Sequence, residues 1–136
     1  MRKQISFQEI PNAELRNLTG FGIRISAELY EIEGSIKSIR LMGICQNSSD
    51  RYDNKKNILE RVNIIMTFGE DHLPICFKAI NDTILFENDV KQVGRMAQAF
   101  FDLDLFLQGG LDPVPGLYFI SAVMDEYLSN VEKVTL

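Results

Sequence analysis

The sequence predicts an all-β chain: an antiparallel β-sandwich or a related Greek key of about eight or nine strands. Three observations predict it. Apolar and polar residues alternate with period 2 along several runs, turn residues recur about every 8–12 residues between them, and a Pro/Gly corner leads into the C-terminal strands.

Taken in order, Ile23, Ile25, Ala27 and Leu29 share one face of a run from Gly22 to Leu29, with Arg24, Ser26 and Glu28 opposite. Gly34-Ser35 then separates Tyr30–Glu33 from Ile36–Leu41, and a Gly-Ser pair suits a two-residue hairpin turn. Gln46 to Asn57 is a long polar stretch, expected as a surface loop because its side chains have little to bury. Val62, Ile64, Met66 and Phe68 line the next run, and Leu73, Ile75, Phe77 and Ala79 the one after. Turns are expected at Gly69–His72 and Asn81-Asp82. Proline at Leu73-Pro74 marks the start of an edge strand, since proline withholds a donor from further pairing. The longest alternation places Ala97, Ala99, Phe101, Leu103, Leu105 and Leu107 on one face, predicting a strand from Arg95 to Leu107. A helix from Asn88 to Phe101 competes with it, through Val90, Val93, Ala97 and Phe100. Gly94 would cost such a helix about 1 kcal/mol relative to alanine.

The 136 residues suit one domain, expected to span 1–136, and a chain of this length buries enough surface to fold without a metal or disulfide. A net charge of −5 and the lack of a clustered basic stretch argue against nucleic acid as a partner. No apolar run reaches the roughly 18 residues of a membrane span, and Ile5–Glu9 alternates where a signal peptide would be uniformly apolar. These features lead to the expectation of a cytoplasmic protein without a membrane partner. Cys45 and Cys76 both sit in apolar stretches and are expected as buried thiols rather than a disulfide.

Near the C-terminus, Leu111, Pro115, Gly116 and Tyr118 precede Phe119–Val123, a polar turn (Asp125–Asn130) and Val131–Leu136. This segment, residues 109–136, resembles the end of an immunoglobulin-like or fibronectin type III-like sandwich. The resemblance implies that Tyr118 opens the penultimate strand and buries its ring while its hydroxyl bonds back to the corner backbone. Gly116 can supply a positive φ there. The chain has no tryptophan and no Cys…Trp…Cys pattern, so a true immunoglobulin domain is excluded.

Candidate chemistry is sparse. His72, the only histidine, stands beside Glu70 and Asp71 in a polar turn and lacks a second ligand set, so no metal site is assigned. Pairing His72 with Cys76 or Cys45 would be the arrangement of a thiol nucleophile. Asp102 and Asp104 project from one strand face about 6–7 Å apart, a spacing usable for acid–base work, but alternation predicts a solvated outer face for them. Phe100, Phe106, Met96 and Ile65 also fall on nominally outer faces, where an exposed apolar patch would signal a partner. Phosphate loops, serine elbows and zinc spacings are missing, and neither a catalytic set nor a cofactor is assigned. Arg51, Tyr52 and Lys55, in the polar stretch, are the expected binding residues, because Tyr and Arg dominate interface hot spots.

The expected function is therefore a non-enzymatic protein-binding or assembly module, either an accessory protein or a subunit of a larger assembly such as a phage-type structure. It would act through a protein partner or by self-association. A sandwich binding a small molecule or carbohydrate is the alternative, and a small hydrolase using Asp102/Asp104 or His72 ranks third.

Overall fold

Period-2 alternation makes strands wherever one face can be buried, and neighbouring runs along this chain close into antiparallel pairs. The computed structural model describes residues 18, 20–32, 34, 36–51, 56–69, 73–80 and 88–136. Strand β1 (Gly22–Ile32) pairs with β2 (Ile36–Ser48), in register from Gly22↔Gln46 to Ile32↔Ile36. Ile32 pairs with Ile36, so the paired ends lie four positions apart, one more than the two-residue Gly-Ser turn the sequence indicated would give.

After β2 come a single turn at Ser49–Arg51, helix α1 (Lys56–Glu60) and β3 (Val62–Phe68). β3 pairs with β4 (Ile75–Lys78), β5 (Asn88–Val93) pairs with β6 (Met96–Asp104), and helix α2 (Leu105–Gly109) leads to β7 (Leu117–Met124). Two short strands, β8 (Tyr127–Leu128) and β9 (Glu132–Thr135), both pair with β7.

The result is an antiparallel sandwich, with a four-stranded sheet ordered β1-β2-β6-β5 facing a five-stranded one ordered β4-β3-β7 with β8 and β9 beyond. Every hairpin stays within a sheet, while the β2–β3, β4–β5 and β6–β7 connections cross between sheets.

The inward faces are those the alternation marks. Ile23, Ile25, Ile39, Leu41, Ala99 and Phe101 from one sheet meet Val62, Ile64, Met66, Ile120, Ala122 and Met124 from the other in one core. Fully burying a large aliphatic or aromatic side chain contributes about 1.5–3 kcal/mol, so these rows dominate the favourable side of folding.

The structure corrects four expectations. β2 does not stop before the polar stretch: Gln46 and Asn47 lie in the strand and are buried. They are tolerated because they are hydrogen-bonded. Gln46 Nε2 donates to the carbonyls of Leu18 (3.2 Å) and Gly20 (2.6 Å), and Gln46 Oε1 accepts from Gln98. The later part of the same stretch enters α1, which drops Ile58 and Leu59 into the core just beyond it.

The long alternation breaks at Asp104. Its carboxylate accepts from Leu107 N–H (3.3 Å) and caps α2, so Leu105 to Gly109 is helical. The competing helix over 88–101 is instead a hairpin. Gly94, at φ 60°, opens its two-residue turn, a role a left-handed glycine fills without steric cost. Leu73 and Ile75 do not join the inner face; they are 78% and 39% exposed, because β4 ends its sheet. That position agrees with the proline signal for an edge strand.

The two outer edges on the β1 side are joined by side chains. Between β8 and β9 the chain leaves β7, and Asn130 turns towards β1. Ile25 N–H donates to Asn130 Oδ1 (2.9 Å), and Asn130 Nδ2 donates back to the Ile25 carbonyl (3.0 Å). Two residues on, Ala27 N–H donates to Glu132 Oε1 (3.0 Å). The side chains thereby supply partners that a further strand would otherwise offer β1.

Candidate functional site

The residues singled out in sequence separate into distinct roles. Arg51 contributes its backbone to the turn at Ser49–Arg51, while Tyr52, Lys55, Glu70, Asp71 and His72 lie outside the described residues. Cys45 and Cys76 are not linked to each other. Cys45 is buried as expected, and that burial pushes its thiol well above the usual range. Cys76 departs from expectation: it is exposed on the edge strand β4.

Asp102 and Asp104 also depart from expectation. They are 3% and 4% exposed, not solvated. Asp102 is gripped by Arg40 through Nε (2.8 Å) and the adjacent guanidinium nitrogen, while Glu28 flanks the same guanidinium at 3.7 Å. Asp104 Oδ1 accepts from Ser38 Oγ (2.7 Å) as well as from the α2 backbone. Both carboxylates thus organise structure, a bidentate ion pair on one side and a helix cap on the other.

Phe100 and Phe106 are buried too. Phe100 packs with Met42 and Ile44 in a small second cluster on the far face of the first sheet, with Leu18 against it. Phe106 joins the main core, because α2 turns it inward. Among the described residues, no three His, Cys, Asp or Glu side chains converge as a metal site would require, and no helix is long and apolar enough to cross a membrane.

The corner after α2 matches its expectation. Tyr118, buried at the start of β7, donates its hydroxyl to the Val114 carbonyl at 2.6 Å. Its ring stacks obliquely on Phe68 (4.8 Å between centroids) and edge-on to Phe106 (5.2 Å). Gly116 holds φ 151°, and a Cβ there would come within 2.4 Å of the Phe68 ring, so both conformation and space call for glycine. Burial raises the Tyr118 hydroxyl above its ordinary pKa.

This corner forms one wall of an open groove of about 320 Å³. Met66 and Phe68 on β3, Ile75 on the β4 edge, Phe106 on α2, Leu111, Asp112 and Val114 from the segment after α2, and Tyr118 line it. Among the described residues, Asp112 is the only charged one lining the groove. The Tyr118 hydroxyl is already committed to Val114.

Such a cleft can hold apolar groups and, beside Asp112, a cation or donor; none of the described lining residues resembles a nucleophile activated by a base. Sequence reasoning missed it, because its walls come from Met66, Phe68 and Ile75 and from residues 106–118, and only the sandwich brings them together. The signals that pointed nearest to it were Pro74, marking the edge, and the corner residues around Tyr118. Compared with protein-family models, curated proteins and solved structures, the chain matches none of them.

Proposed function

We propose that the chain is an immunoglobulin-like sandwich that works as a non-enzymatic protein-binding or assembly module, receiving an extended segment along the free edge of β4. The observation that carries this is Ile75, which belongs at once to a sheet edge that no other described strand pairs with and to the wall of an open apolar groove. Such an edge offers backbone donors and acceptors for strand addition, and the adjoining groove offers a pocket for alternate side chains. The strand order supports the immunoglobulin-like part. β1-β2-β6-β5 over β4-β3-β7-β9 follows the A-B-E-D over C′-C-F-G order of such folds, and the tyrosine corner opens the F-like strand.

Light scattering over a wide concentration range, combined with the alkylation rate of Cys76, tests the role of the edge. A discrete oligomer that dissociates in Ile75→Lys assigns the edge to assembly. A monomer whose Cys76 is protected by strand-length peptides assigns it to a foreign partner. An unchanged, fast Cys76 reaction at every concentration and with every peptide removes the edge from the proposal.

The aromatic floor of the groove favours a second reading, in which a small apolar ligand occupies it. A metabolite and sugar panel that raises the melting temperature of the wild type, but not of Val114→Lys, would select that reading.

A further inference from the structure

We infer that the segment docking on β4 carries an apolar side chain followed two residues later by Lys or Arg, the apolar group entering the groove and the cation meeting Asp112. This rests on the edge-docking role proposed above and specifies its partner.

The geometry of an added strand supplies the spacing. Side chains on a strand alternate between faces, so residues i and i+2 share a face about 6–7 Å apart. Ile75 of β4 lines the groove, whereas the next residue, Cys76, is absent from its lining. A strand laid beside β4 must therefore point every second side chain to the groove side. The first such side chain meets walls made of Met66, Ile75, Phe106, Leu111 and Val114, which reward an aliphatic or aromatic group.

The next side chain on the same face, about 6–7 Å on, is the one we assign to Asp112. Among the described residues lining the groove, Asp112 is the one that carries a charge, and it is exposed to solvent. A carboxylate beside an apolar cleft selects the sign of what docks there: it attracts Lys or Arg and repels a second carboxylate. The net charge of −5 acts in the same direction at longer range. Charge also weighs against a fatty acid as occupant, because its headgroup would sit near Asp112.

The test uses the intact chain and its exposed thiol. The probe is the labelled nonapeptide Thr-Thr-Val-Thr-Leu-Thr-Lys-Thr-Thr, with a second version in which Leu and Lys are exchanged, since a strand can add in either direction. Control peptides replace Lys by Glu, or Leu by Ser. Binding is followed by fluorescence anisotropy, and occupancy of the edge by slowed alkylation of Cys76; Cys45 is buried and stays silent.

One of the two Leu/Lys peptides is expected to bind and to protect Cys76. The Glu version, or Asp112→Asn protein, should bind roughly threefold more weakly, the scale of an exposed ion pair. The Ser version should lose about tenfold or more, as expected when a buried aliphatic group is removed. Equal protection of Cys76 by Lys and Glu peptides, unaltered in Asp112→Asn, would overturn the charge selection while leaving edge docking in place. Protection of Cys76 by a second copy of the chain alone would replace the foreign partner with self-association. Failure of every peptide and of self-association to protect Cys76 would overturn the docking role itself.

Discussion

The β1 edge and the β4 edge are both ends of antiparallel sheets, yet they are finished in opposite ways. At β1 the outward backbone groups of Ile25 and Ala27 are bonded to Asn130 and Glu132, side chains carried by the opposite sheet. At β4 no further strand pairs among the described residues, and the strand is four residues long, preceded by Pro74 and ending in Lys78. The difference teaches how a sandwich directs strand pairing. One edge is closed by hydrogen bonds that a competing strand would have to displace. The other, among the described residues, is protected by shortness, proline and charge, which discourage indiscriminate aggregation without blocking a fitted partner.

The scale for judging that contrast comes from the sheet interior. Asp102→Ala removes the partner of a guanidinium that is itself only partly exposed, and should cost about 2–3 kcal/mol in urea unfolding. At the closed edge, Asn130→Ala leaves the Ile25 N–H and C=O without their side-chain partner. The expected loss is about 1–2 kcal/mol, with a lower onset of aggregation on heating. If Asn130→Ala were as harmless as a surface substitution, the closed edge would be no different from the open one.

A pH titration probes the corner behind the open edge. Cys45 and Tyr118 both have pKa values raised in the folded chain, so the unfolded chain binds fewer protons than the native one once the pH passes their ordinary values. Their contribution to stability is whole below about pH 9 for the thiol and about pH 10 for the phenol, and is lost as the pH rises through the folded values. Urea midpoints measured from pH 7 to 11 should therefore fall at the alkaline end, and Tyr118→Phe should fall less steeply there. Ile75→Lys at the open edge should move stability by no more than about 0.5 kcal/mol, because that side chain is already partly in water. Alkylating Cys76 should change it least of all, while Cys45 reacts only as the chain unfolds.

Much of this architecture was legible in the sequence, and the exceptions have physical causes. Alternation located β1, β3 and β6 and their buried faces, since a period-2 pattern is unambiguous when one face packs on another sheet, while β7 was marked by the Pro/Gly corner and Tyr118. Alternation alone misplaced Leu73 and Ile75: at an edge no opposing layer covers the apolar side, so the pattern persists without burial. Composition misplaced Gln46 and Asn47, which look like loop residues until Gln98 and the carbonyls of Leu18 and Gly20 satisfy the Gln46 amide, and Asp125 and the Ser48 N–H that of Asn47. Asp104 read as an outer-face residue although it is a helix cap, because a cap is defined by the backbone that follows it. Of the groove, only Pro74 and the Tyr118 corner could be anticipated; Asp112 lines it together with β3 and β4 residues more than thirty positions earlier, which no local pattern reveals.

The bond between Asn130 and Ile25 spans 105 positions of sequence, and this sets an order of events. A chain growing from its N-terminus can form the β1–β2 hairpin early, from contacts close in sequence. It gains the cover for that hairpin's outer side only after residues 130 and 132 have been made. Until then the first strand is unguarded on a nascent chain, exposed to pairing with any neighbour. Ring closure across so long a loop is a slow, late step, so refolding should show early hairpin protection and delayed protection of the Ile25 amide in pulsed hydrogen exchange.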